Sequence, residues 1–198
     1  MTDFAAPKDL SQEEKIARLQ LIRTDNVGPV TFRHLISRYK TAVNALAVLP
    51  ELAHRGGRKK PLVAAKKSDA VKEIEALSKL GGHLIVYGDS LYPEALAASE
   101  GAPPILMALG HPHLLERNNF AIVGARNCSA IGIKIATAMA RDLGQAGYVI
   151  SSGMARGIDT AVHQGAVPTG TIAVLAGGVD VISPARMTGC MRPSLIRA

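Results

Sequence analysis

The stretch "FAIVGARNCSAIG", residues 120–132, decides the fold class. Four apolar residues run into Gly124, then come Arg126, Asn127 and Ser129, and then a stretch with helical texture. A short apolar run bounded by glycine reads as a buried strand. Ser129 is a good N-cap for the helix behind it. A strand that turns through glycine into a helix aims free backbone N–H groups, and the positive end of the helix dipole, at an anion. Gly124 lets the backbone approach a ligand without a Cβ. Arg126 adds a planar fork suited to phosphate. The G-x-G-x-x-G spacing of dinucleotide sites is absent, so the turn predicts a phosphate site of another kind.

The same texture extends in both directions. "HLIVYG" (83–88), the run 105–109, "GYVISSG" (147–153) and "TIAVLAGG" (171–178) read as further strands. Residues 130–146 predict a long helix with Ile131, Ile135, Met139 and Leu143 on one stripe, and residues 158–166 predict a short one. Apolar strands alternating with helices predict a parallel, Rossmann-like α/β sheet covered on both faces.

Upstream the pattern is helical. Ser11 with Glu14 forms a capping-box pattern ahead of Ile16, Leu19 and Ile22, which predicts a helix over 11–24. Gly28-Pro29 breaks the chain, and Thr31 is placed to cap a helix bearing Phe32, Leu35 and Ile36. Residues 42–49 predict a third helix and 68–80 a fourth. The "VGPV" turn at 27–30 has a helix-hairpin-helix character, although an ordinary helix–helix turn explains it more simply. "HRGGRKKPLVAAKKSDAVK" (54–72) reads as a basic, solvated linker. The expected division is a helical domain with its linker over 1–66, a partial Rossmann-like core over 67–182 and an aberrant tail over 183–198.

The bulk composition narrows the function classes. Lys and Arg number 23 against 16 acidic residues in 198, a net charge of +7, which favours an anionic partner. Aromatics are 4% and Trp is absent, so an aliphatic core is expected. Cys128 and Cys190 show no metal-ligand spacing, and no metal or cofactor is expected. No signal-peptide pattern opens the chain, and no apolar run reaches the ~20 residues of a membrane span. A cytoplasmic protein with no membrane partner is the expectation.

Parallel strands end on one side of a sheet, where ligands bind in such folds. Three loops therefore share one rim: "GARNCSA" (124–130), "SSGMARGID" (151–159) and "AGGVD" (176–180). The second repeats the first, with Gly153 and Gly157 flanking Arg156 and with Asp159 placed to cap the next helix. Gly177 and Gly178 keep the third open. His163, four residues beyond Asp159, reads as a core or capping histidine. Two arginines and several glycines on one rim predict several phosphates spaced along a groove. The ribose-binding acid, the Walker loop and the G-x-S-x-G elbow are all missing, so no catalytic residue is assigned.

The stretches "FAIVGARNCSAIG", "YVISSGMARGIDTAVHQGA" and "TIAVLAGGVDVISP", led in by "YGDSLYPEAL" and "APPILMALGHPHLL", resemble the DNA-processing protein A family (DprA/Smf). The resemblance covers about residues 10–182. It implies a small helical domain ahead of an extended Rossmann fold. It also implies a protein that binds single-stranded DNA, loads the RecA recombinase and protects incoming DNA during natural transformation, without being an enzyme. Arg126 matches the family's phosphate-contacting arginine, and residues 152–159 match the loop lining the same pocket. The DNA-phosphate set is then Gly124, Arg126, Asn127, Ser129, Ser152, Gly153, Arg156, Gly157, Gly177 and Gly178, with Asp159 and His163 structural.

The match breaks near the end. Ser183 stands where the family has Tyr, and from Ala185 the tail carries three Arg and no acid. A frameshift or truncation around residues 182–185 is expected. It would leave the family's DNA-contacting lysine and most of its homodimer interface absent, and residues 171–176 as an exposed apolar edge. Two other readings stay open: a nucleotide-binding enzyme of phosphoribohydrolase type, whose glutamate-bearing glycine loop is not found here, and a non-functional fragment.

Overall fold

The computed structural model describes residues 9–55, 63–176 and 194–197, with side chains given outside 52–55 and 194–197. Gly177, Gly178 and residues 183–193 of the tail lie outside the described residues. The chain divides into two compact units, residues 1–79 with 84–106, and residues 80–83 with 107–198.

The first unit is built on four helices: α1 (Gln12–Ile22), α2 (Pro29–Tyr39), α3 (Ala42–Arg55) and α4 (Lys67–Lys79). Ser11 caps α1, its Oγ accepting from Glu14 N–H at 3.2 Å. The Glu14 carboxylate does not close the capping box. It is buried, pairs with Arg18 Nε at 2.7 Å and accepts from Ala42 N–H at 2.8 Å, capping α3 instead. α2 is capped by Gly28 with Pro29 in its first turn, not by Thr31, because proline's fixed φ starts a helix without needing a hydrogen-bonded N–H. Ala17, Leu21, Val27, Phe32, Leu35, Ala42, Ala45 and Leu49 form the core, and Leu19 is fully buried beside it. Strand β1 (His83–Val86) leads to a loop in which Arg18 Nη1 donates to Tyr87 O, and Lys15 pairs with Asp89 at 2.5 Å. The short helix α5 (Glu94–Ala97) follows, and then strand β2 (Ile105–Leu109), which carries the chain into the second unit.

The second unit is α/β. After a 3-10 turn at Pro112–Leu115 come β3 (Asn119–Ala121), α6 (Ala130–Gln145), β4 (Val149–Ser152), α7 (Ile158–Ala166) and β5 (Thr171–Leu175). A last strand, β6, covers Ser194–Arg197. The sheet runs in the order β2-β6-β5-β4-β3. β3, β4, β5 and β6 are mutually parallel, whereas β2 pairs antiparallel with β6, so the sheet is mixed.

Three expectations are corrected. The edge expected at residues 171–176 is covered, because β6 pairs in parallel with β5 from Ile172 to Leu175. The two crossover helices lie on one face, not on both. Ile150 of β4 packs beneath Ala136 and Ala140 of α6 and beneath Ala161, Val162 and Ala166 of α7. Strands added successively in one direction, with crossovers of one hand, put their helices on one side. The third concerns α6, whose isoleucine stripe is not its buried face. Ala136, Ala140 and Gly144 are buried, while Ile131, Ile135 and Met139 are exposed. The reason is the closeness of α6 to α7. A Cβ on Gly165 would lie 2.3 Å from Thr137 O, and one on Gly144 would lie 2.1 Å from Thr169 Oγ1, so small residues must form the seam.

Candidate nucleic-acid interface

β3, β4 and β5 run in parallel and end on one side of the sheet. The loops after β3 and β4 meet there directly. Ile158 N–H donates to Ala125 O at 3.2 Å. A Cβ on Gly124 would lie 2.7 Å from Ile158 Cγ1, so this glycine makes room for the neighbouring loop and not for a ligand. Gly157 has φ of +88° and ψ of −125°, a conformation open to glycine alone. A Cβ there would lie 2.3 Å from Ala125 O and 2.6 Å from Arg126 O. The backbone that carries Arg126 thus rests on the glycine beside Arg156.

Both arginines are exposed, and among the described residues no carboxylate pairs with either. Asn127 is exposed beside Arg126. Ser129 caps α6, its Oγ accepting from Gly132 N–H at 3.1 Å, and no acid sits in that helix's first turn. Residues 129–131 at this helix start are exposed, and the first-turn N–H groups of an α-helix have no intrahelical acceptor. The rim therefore offers guanidinium forks, backbone donors and the positive end of a 16-residue helix.

Two expected residues are turned elsewhere. Ser152 is buried, and its hydroxyl donates to Ile122 O at 2.7 Å, tying β4 to β3 instead of facing the rim. Asp159 does not cap α7, whose N-cap is Gly157 with no side-chain bond. Its buried Oδ2 accepts from Ala155 N–H at 3.3 Å, turned back onto the loop, and a Cβ on Gly153 would lie 2.5 Å from the same oxygen. Gly153, Arg156 and Gly157 are thereby held in one loop over the start of α7.

His163 secures that loop from below. Fully buried, it lies with Nε2 2.7 Å from Gly153 O and Nδ1 2.8 Å from Thr171 Oγ1. A carbonyl can only accept, so Nε2 carries the proton and the neutral ring's Nδ1 accepts. The Thr171 hydroxyl also donates to Ile150 O at 2.8 Å, so its single proton is contested between that carbonyl and the His163 ring. Burial holds the His163 pKa below the ordinary 6.5, against the opposing pull of the Gly153 hydrogen bond and of Asp159. Above about pH 6.5 both folded and unfolded chains hold this ring neutral, and its full contribution to stability is present. As pH falls through 6.5 toward the lower folded value, only the unfolded chain takes up the proton. Stability is then expected to fall by up to about 1.4 kcal/mol per pH unit from this group. Urea melts between pH 5 and 8 check this, with His163→Gln expected to flatten that part of the profile.

Sequence reasoning did not identify Ile158, Ala125 or Thr171 as parts of this arrangement. The only signal was the apolar residue directly after Gly157.

A mostly parallel α/β sheet bearing two interlocked, glycine-rich, arginine-bearing loops at the carboxyl ends of its strands defines a protein of Rossmann-like fold. Within that class, the chain belongs to the DNA recombination-mediator protein A family, whose model matches residues 83–194. The DprA-like N-terminal HHH domain matches residues 12–76, including the turn at Gly28. The putative DNA processing protein DprA of Mycobacterium tuberculosis (strain H37Rv) is 35% identical over 174 residues, covering 80% of this chain and 42% of that protein. The DNA processing protein DprA of Streptococcus pneumoniae (strain R6) is 41% identical over 98 residues, covering 48% and 34%. The X-ray structure of the Streptococcus pneumoniae DprA superposes with a TM-score of 0.68 at 25% identity, over 96% of this chain and 68% of that one. DNA processing protein A from Helicobacter pylori, solved for its single-stranded DNA binding mode, shares the fold at a TM-score of 0.52 and 24% identity, over 59% and 54%. The chain spans less than half the length of the curated relatives it matches. Among the described residues no helix is long and apolar enough to cross a membrane.

Proposed function

We propose that this chain binds single-stranded DNA as a recombination mediator of the DprA type, working in the cytoplasm without a catalytic step. Its rim holds backbone phosphates, with Arg126 and Arg156 supplying charge, Asn127 and the Ser129-capped start of α6 supplying donors, and Gly124, Gly153 and Gly157 letting the two loops pack closely enough to set both arginines on one edge. Gly177 and Gly178 are assigned to the same rim from the sequence. Delivery of the bound strand to a RecA recombinase, and protection of DNA taken up during transformation, are the role this binding serves. The observation that carries the reading is the pairing of two exposed arginines, each on a loop braced by the other, at one sheet edge.

With 4% aromatics the rim has little to stack on bases, so affinity is expected to rest on phosphates and to vary little with base composition. The test is fluorescence anisotropy of a labelled oligothymidine over a salt series. Two neutralised phosphates predict that log affinity falls against log salt with a slope of about −1.4. Binding that is indifferent to salt would remove the basis for this reading.

A further inference from the structure

The hydrogen bonds around His163 are one proton short. Three contacts converge there: Nε2 to Gly153 O at 2.7 Å, Nδ1 to Thr171 Oγ1 at 2.8 Å, and Thr171 Oγ1 to Ile150 O at 2.8 Å. The neutral ring brings one proton and the threonine hydroxyl brings another, which makes two protons for three contacts. A further proton on Nδ1 completes the set. Nε2–H then donates to Gly153 O, Nδ1–H donates to Thr171 Oγ1, and the hydroxyl is free to donate to Ile150 O. The imidazolium therefore matches the groups around it, and the neutral ring does not.

A buried anion lies in the same loop. Asp159 is 7% exposed; its Oδ2 accepts from Ala155 N–H, and its Oδ1 is buried with no hydrogen-bond partner. This carboxylate favours the charged ring, while burial opposes it and prevails in the free protein. β4 and β5 carry no ionisable side chain. Lys134, Arg141 and Asp142 of α6 are exposed, as are Arg126 and Arg156 on the rim, and Cys128 of the first loop is half-buried.

We propose that His163 takes up a proton when a strand binds the rim, so that this site grips single-stranded DNA more tightly as pH falls. The inference rests on the binding proposed above. Phosphates held by Arg156 bring negative charge to the outer side of the loop whose inner side His163 holds, and this adds to the charge of Asp159. In return, a charged N–H is the stronger donor to Gly153 O, and it fixes the loop bearing Arg156 and Gly157 for the strand. The coupling is reciprocal: a strand that favours the proton is favoured by it to the same degree.

A unit charge about 10 Å away, at an effective dielectric of about 20, shifts a pKa by about one unit. The bound form then has the higher pKa of the two. Well above it the ring is neutral in both forms and contributes nothing. As pH falls through it, the complex is protonated before the free protein, and affinity rises toward a limit of about tenfold.

The test is anisotropy of labelled oligothymidine, whose bases do not titrate between pH 5 and 8, at fixed ionic strength across that range. Affinity is expected to rise severalfold to about tenfold toward pH 5. Calorimetry near pH 6 in two buffers of different ionisation enthalpy is expected to show a net uptake of up to about half a proton per chain. His163→Gln keeps an amide N–H for Gly153 O but cannot charge, and Thr171→Val removes the acceptor for the second ring proton. Both are expected to give a flat pH profile and no uptake by the chain, with the wild-type circular dichroism spectrum as the check on folding. The calorimetry on wild type decides the matter even where a variant fails to fold. Salt-dependent binding that is flat in pH with no proton uptake would overturn this inference alone, as would a pH dependence that survives in folded His163→Gln. Absence of binding at every pH would overturn the reading of the rim together with it.

Discussion

Replacing Gly157 with alanine is expected to lower the thermal midpoint by about 10 °C and to abolish single-strand binding at the same time. The backbone there sits at φ +88°, ψ −125°, which a residue with a Cβ reaches only under strain of about 1–3 kcal/mol. The added carbon would also stand 2.3 Å from Ala125 O and 2.6 Å from Arg126 O. Both are backbone atoms, so no flexible side chain can swing aside, and the two loops must part at a cost of another 1–3 kcal/mol or so. At about 2–4 °C per kcal/mol for a chain of this size, the sum gives the expected shift. The same parting moves Arg126, which is why stability and binding are expected to fall together. A circular dichroism melt beside an anisotropy titration reads both. An unshifted midpoint would show that this glycine does not hold the two loops together.

Arg126→Ala is expected to separate the two quantities. Its side chain is exposed and, among the described residues, has no carboxylate partner, so the melting midpoint should stay at the wild-type value. Affinity for single strands should drop roughly ten- to a hundredfold, the worth of a charge-assisted hydrogen bond. The salt slope should flatten by about 0.7, one phosphate's share. The loss should be alike for oligothymidine and oligoadenine, because a phosphate contact carries no base information. Arg126→Lys keeps the charge but loses the fork, and should recover the slope more fully than the affinity. If the alanine variant binds as the wild type does, the rim at the end of β3 is not where the strand lies.

Much of the architecture was legible along the chain. Ser129 as a cap, Gly28-Pro29 as a break and the apolar runs ending in glycine are local signals, set by dihedral preference and by capping within a few residues. What misled was periodicity read without a partner. Ile131, Ile135 and Met139 make a sound helical stripe, yet the buried face of α6 is the alanine and glycine one. Which of two apolar faces is covered depends on how close the neighbouring helix comes, and that distance belongs to the fold.

The candidate site divides in the same way. Sequence by itself determined that two glycine- and arginine-bearing loops come after parallel strands, and hence that they share a sheet edge, because strand direction and capping are written in short stretches. Only the tertiary structure decided what each residue does there. Ser152 turns inward to Ile122 O, Asp159 turns back to Ala155 N–H, His163 hangs the second loop from β5, and Gly124 and Gly157 make room for the opposite loop. The pairs that bring the two loops together lie about thirty residues apart in the chain, as Gly157 and Ala125 do. Contacts at that separation exist only after the crossover through α6 has set β3 and β4 side by side, so no local pattern of residues can encode them.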